Sequence, residues 1–148
     1  MKQSEQKPWT VEKAVGHLLE IRVNRFDSVE EVKRFFEAVI KAQKATPEAV
    51  CVVDLRAPVV FAQPVAAAVI ENMMKARPRK KTALLLSPEH AVFSMQLSRC
   101  VRQVGDPMRM TFTDPEDMLS WINDALTDAE QRRVKAFVGR HKGLSTAS

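Results

Sequence analysis

"AVCVVDL", residues 49 to 55, is an apolar run broken only by its sixth residue. Its length suits a strand, and its lack of alternation suits one covered on both faces. "TALLLS", residues 82 to 87, is a second run of the same kind. Between them, Pro64 suits the first turn of a helix carrying Val65, Val69, Ile70 and Met73 on one side. Two doubly covered strands joined through a helix make a parallel crossover unit, and the rest of the chain extends it.

Upstream, "WTVEKAVGHLLEIRV", residues 9 to 23, breaks at Gly16-His17 into two segments rich in β-formers. Leu19, Ile21 and Val23 alternate with Glu20 and Arg22, which predicts a hairpin strand with one wet face. Ser28 and Glu31 form a capping box ahead of a helix presenting Val29, Val32, Phe36, Val39 and Ile40. Downstream, Ser87-Pro88-Glu89 reads as cap, first-turn proline and favourable charge for a helix from about 88 to 104. That helix turns Phe93, Leu97, Cys100, Val101 and Val104 inward and ends at Gly105.

"MRMTFT", residues 108 to 113, alternates as a last strand, and Asp114-Pro115 opens a helix packing Met118, Leu119, Ile122 and Leu126. The order is ββαβαβαβα plus a C-terminal helical extension, an α/β fold with a mixed sheet of about five strands and four main helices. Met73, Met74, Met95, Met108, Met110 and Met118 read most simply as core filler.

A chain of 148 residues with 45% apolar content suits one domain with one sizeable core. The division expected is a polar N-terminal tail over 1–8, the domain over 9–127, and a basic helical extension and tail over 128–148. No run approaches the roughly 20 apolar residues of a membrane span, and "MKQSEQKPWT" is polar where a signal peptide has an apolar core. The expectation is a cytoplasmic protein without stable membrane insertion. Cys51 and Cys100 lack a CxxC spacing and read as free buried thiols. The excess of 23 basic over 18 acidic residues permits an acidic partner without requiring one.

The element order, with "VCVVDLRAPVVFAQPVAAAVI", "TALLLSPEH" and "MTFTDPEDMLSWI", resembles the STAS or SpoIIAA-like family, named for anti-sigma factor antagonists. The resemblance covers roughly residues 9 to 127. It implies a STAS/SpoIIAA-like fold and a non-enzymatic signalling or regulatory role in binding a protein. In that family a buried strand ending in an acid leads through a loop to an Asp-Ser pair at the next helix, and a partner kinase phosphorylates the serine. Here "VVDL" aligns with the strand and "VVF" with the residues before the pair, so the pair falls on Ala62-Gln63 and the phosphoacceptor position holds Gln63. No Ser, Thr or Tyr lies between Asp54 and Val65, so the phosphoserine switch is expected to be absent. What the resemblance leaves is a partner-binding surface, with Arg56, Pro58, Phe61 and Gln63 as its candidate residues beside the exposed side of the helix from Pro64 to Met74. The fold's similarity to lipid-transfer domains gives an alternative: a carrier of a small apolar or lipid-like ligand, its pocket lined by the methionines.

The residues themselves leave two readings of Asp54 and Arg56: a surface salt bridge worth under about 1 kcal/mol, or a fork for a phosphate or carboxylate. The four glycines build neither a P-loop nor a dinucleotide fingerprint, and His17, His90 and His141 have no ligand spacing, so no cofactor, metal site or catalytic residue is expected. "KARPRKKT", residues 75 to 82, carries five basic residues without an aromatic, which reads as a solvated loop, and no nucleic-acid partner is expected. In "RRVKAFVGRHK", Val134, Phe137 and Val138 form an apolar stripe beside Arg132, Arg133, Lys135 and Arg140. It could dock on its own sheet or on its mate in a homodimer, bind an acidic partner, or touch an anionic membrane weakly, and docking is favoured over membrane contact because the stripe is short.

Overall fold

The computed structural model describes residues 7–58 and 60–147, the side chains of 140–147 excepted. Most of the expected N-terminal tail, Val59, Arg140 and His141 thus fall outside the described side chains. The elements run β1 (Trp9–Lys13), β2 (Leu18–Val23), α1 (Val29–Ala45), β3 (Val50–Leu55), α2 (Gln63–Lys75), β4 (Thr82–Leu86), α3 (Ala91–Val104), β5 (Arg109–Phe112), α4 (Pro115–Ile122), a 3₁₀ turn over Asn123–Ala125, and α5 (Asp128–Ala147). The five strands form one mixed sheet in the order of the chain, β1 antiparallel to β2 and every later pair parallel.

Three successive crossovers of one hand, stepping in one direction across a sheet, place their helices on one face. Accordingly α1, α2 and α3 pack against Leu19, Ile21, Val23, Cys51, Val53, Leu55, Leu84 and Leu86. The opposite face, carrying Leu18, Val50, Val52, Ala83 and Leu85, needs cover from outside the crossovers. Met118 and Ile122 of α4 and Val134, Phe137 and Val138 of α5 provide it. Val134 is fully buried, so the basic extension docks on its own domain and completes the second core layer.

This cover corrects the expectation that β2 has a wet face. Glu20 is 3% exposed, because α5 lies over it. Arg133 of α5 reaches down to the Glu20 carboxylate with a two-pronged ion pair at 2.6 and 3.0 Å. The α5 start is pinned as well: Glu130 accepts from the Thr127 N–H at 2.9 Å while Thr127 Oγ1 accepts from the Glu130 N–H at 3.2 Å, a capping box. The second Glu130 oxygen accepts from the His17 N–H at 2.7 Å, tying the helix to the β1–β2 turn.

The Ser28 cap forms as expected, its Oγ accepting from the Glu31 N–H at 3.1 Å, while Glu31 reaches back to the Asp27 N–H. The buried residues of α1 are Val32, Phe35, Phe36 and Val39; Val29, expected inside, is largely exposed because it opens the first turn beyond the sheet's cover. Helix α3 begins at Ala91 and not at 88. Ser87 instead closes a turn, its Oγ accepting from the Glu89 N–H and its carbonyl from the His90 N–H. Gly105 ends α3 in the left-handed conformation, as read. Of the six methionines expected in the core only Met73 and Met118 are buried; Met74, Met95, Met108 and Met110 face outward because they fall on the outer sides of their elements.

Candidate functional site

The β3–α2 loop starts at a carboxylate that register places under a cation. In the β2–β3 pairing Arg22 stands beside Asp54, and both point to the α5 side of the sheet. Asp54 accepts from the Arg56 N–H at 3.1 Å and from its guanidinium at 3.0 and 3.1 Å, with Arg22 at 3.6 Å. Arg56 also donates to the Val138 carbonyl of α5 at 2.9 Å, and Arg22 lies over the Phe137 ring. The side chains of Arg56 and Asp54 are only 9% and 3% exposed, so the pair is buried and the reading of it as a surface salt bridge is overturned. Its guanidinium is engaged in latching the loop and α5 to the sheet, which takes it away from an incoming anion.

The far end of the loop is held to α3. Gln96 accepts from the Phe61 N–H and donates to the Phe61 carbonyl, both at 2.9 Å. The Phe61 ring, 5% exposed, packs edge-on against Phe93 at 4.9 Å between centroids and lies tilted against Phe26 at 5.4 Å. Pro58 is buried as well. Of the four expected partner-binding residues, then, Arg56, Pro58 and Phe61 face inward and hold the loop's shape, and Gln63 stands exposed at the start of α2. Ala62 caps α2 with no side-chain hydrogen bond, as its lack of an oxygen dictates.

Among the described loop residues, the large apolar side chain turned outward is Val60, 56% exposed, and it lies next to a groove between α2 and α3. Ala66, Ala67 and Ile70 form one wall and Val92 and Met95 the other, with Gln63, Arg99 and Gln103 at the rim. Val92 and Met95 are 69% and 65% exposed. The groove's α2 wall lies on the exposed side of the helix that the sequence offered as a surface, with Ile70, expected inside, at its edge; the α3 wall was not anticipated, because Met95 counts as core filler by composition. The signal was present in the 3.6 period: Val92 and Met95 fall opposite to Phe93, Leu97 and Cys100.

A second feature lies under the helices. Between the sheet and α1–α3 is a cavity of about 70 Å³, walled by Val53, Val69, Leu84 and Leu97 among others, and of the methionines only Met73 lines it. Cys51, Thr82 and Arg109 form a row across β3, β4 and β5 at its amino-terminal end. Burial pushes the Cys51 thiol up to about 11, despite Gln43 and Thr82 beside it.

Four of the five basic residues of the loop make ion pairs on the protein's own surface. Lys75 pairs with Glu71, Arg77 with Asp106, Lys80 with Glu48 and Lys81 with Asp124. Among the described residues no group of three His, Cys, Asp or Glu side chains is placed to hold a metal ion, and no helix is long and apolar enough to cross a membrane. No family model matches the chain, and no curated protein matches it.

Proposed function

We propose that the chain is a non-enzymatic signalling or regulatory module, of the kind its STAS-like sequence features imply, that binds a protein partner in the α2–α3 groove without a phosphoserine switch. The observation that carries this reading is the grouping of Val60, Val92 and Met95, each more than half exposed, around one groove beside a loop that Gln96 and Asp54 hold rigid. Isolated exposed apolar residues are ordinary on a protein surface, but several sharing one groove with a polar rim are the mark of an interaction site. A groove between two helices fits an amphipathic helix of the partner, its apolar side facing Val92 and Met95. An acidic residue on that helix would meet Arg99, and the overall charge of +5 favours such a partner. Gln63 at the rim cannot acquire a phosphate, so binding through this face is constitutive.

The test is capture of the partner by the wild-type chain and by Val92→Asp/Met95→Asp, with Lys41→Asp on exposed α1 surface as control. Selective loss in the groove variant is expected; equal recovery by all three sinks the reading. Sedimentation of the purified chain distinguishes a second copy as the occupant, since a homodimer through this groove dissociates in the same variant.

A further inference from the structure

The row Cys51–Thr82–Arg109 puts a cation where the sheet should be apolar. Arg109 is 8% exposed, and its Nη2 donates to the Ala76 carbonyl at the end of α2 at 2.8 Å. Its Nη1 is buried with no hydrogen-bond partner. Thr82 Oγ1, buried next to it, has no partner of hydrogen-bond geometry and only the weakly accepting Cys51 thiol nearby. Among the described residues no carboxylate lies within ion-pair distance of Arg109; the nearest acid acting on it, Asp106, pairs at 3.6 Å with Arg77. A buried guanidinium with an idle donor and no ion-paired carboxylate is costly, and native proteins keep such groups satisfied by a protein partner, a ligand or ordered water.

Arg109 and Thr82 are both among the residues lining the cavity, whose other walls are aliphatic and aromatic apart from Gln43 and Cys51. Its volume of about 70 Å³ is roughly half of the ~150 Å³ that holds a benzene ring, which excludes a lipid chain and admits a molecule of a few heavy atoms. Outside the same end, Lys44, Lys75, Arg77 and Arg79 line a surface hollow that shares Gln43 and Ala76 with the cavity wall. Glu71 and Asp106 offset part of that charge, and the remainder favours the approach of an anion.

We propose that this cavity is a binding site for a short-chain carboxylic acid, its carboxylate held by Arg109 Nη1 and Thr82 Oγ1 and its alkyl chain between the sheet and α2. The carboxylate supplies the missing counter-ion and the chain fills space that water would occupy poorly. The site is independent of the groove on the outer side of α2 and α3.

The experiment titrates the full chain with sodium acetate, following the methyl signals of Val53, Val69, Leu84 and Leu97 by NMR. Saturable shifts confined to these walls are expected, with ethanol binding at least tenfold more weakly for want of the charge. Arg109→Met should weaken acetate at least tenfold, as should Val69→Phe, which fills the cavity while leaving the guanidinium in place. If Arg109→Met does not fold, the comparison of acetate with ethanol and the Val69→Phe variant decide the matter. Absence of saturable shifts, equal binding of ethanol, undiminished binding in Val69→Phe, or an acetate-soaked crystal with only ordered water at Nη1 would each overturn the proposal.

Discussion

Gln96 of α3 grips both backbone polar groups of Phe61 with its side-chain amide, the two hydrogen bonds each 2.9 Å long. A primary amide carries a donor and an acceptor side by side, so Gln96 answers both groups of the Phe61 peptide and the loop behaves like a strand paired to a helix. Gln96→Leu leaves the Phe61 N–H and carbonyl unanswered near the core. We expect a loss of about 1–3 kcal/mol in urea unfolding and faster hydrogen exchange at the Phe61 amide. Unchanged exchange there would show that the aromatic packing alone holds the loop.

Asp54→Ala is expected to destabilise by about 3–5 kcal/mol, because it strands Arg56 and Arg22 under α5. An exposed pair would cost under about 1 kcal/mol, so denaturation midpoints separate the two cases directly. The double variant Asp54→Leu/Arg56→Met removes the charges together and should recover much of the loss. Failure to recover would mean that the Val138 contact of Arg56 matters more than its charge pairing.

Burial would raise the Glu130 carboxyl, but the hydrogen bonds from the His17 and Thr127 N–H groups and the Thr127 hydroxyl outweigh it, and the pKa falls below its ordinary value of 4.5. A carboxyl with a lowered folded-state pKa contributes stability that is fully present above the unfolded value and lost as pH drops through the folded one. The acid limb of stability against pH should therefore begin below about pH 4.5. In Glu130→Gln that limb flattens and stability at neutral pH falls by about 1–2 kcal/mol, so that the two proteins converge near the bottom of the acid range. Parallel curves for variant and wild type would assign the acid transition to other groups. Gly16→Ala strikes the same joint from the other side: Gly16 has φ +62, and a methyl there would collide with the Glu130 carboxylate. We expect a cost of at least about 1–2 kcal/mol in thermal or urea unfolding.

Both cysteines are free and buried, and burial raises both thiols, Cys51 to about 11. At pH 8 the thiolate fraction of Cys51 is then very small and a disulfide reagent has no path to it. Labelling of the native chain should be slow at both positions and complete in urea, with the rate in intermediate urea tracking unfolding. Rapid native labelling at Cys51 would reveal opening of the cavity it borders.

Much of the fold was legible in the sequence because it depends on neighbours. The runs 50–55 and 82–86 are buried on both faces, Ser28 and Asp114 cap their helices, and Gly105 ends α3, each determined by residues within a turn or two. Helix α3 shows the limit of such local signals: Ser87-Pro88-Glu89 has the composition of a helix start, yet Ser87 hydrogen bonds only within a turn and to Ser94, and the helix waits for Ala91.

What tertiary structure alone decided is everything that rests on register and on distant partners. Glu20 looked solvated because its cover, Arg133, lies 113 residues away, and Arg56 looked available because the Val138 carbonyl that occupies it lies 82 residues away. The row of Cys51, Thr82 and Arg109 exists only once three strands are aligned, since no spacing along the chain relates them. Periodicity reports which side of an element is apolar. What stands over a polar residue is set by the single sheet register and helix docking that bury the most apolar surface, and that choice carries Glu20, Asp54 and Arg109 into the interior with it.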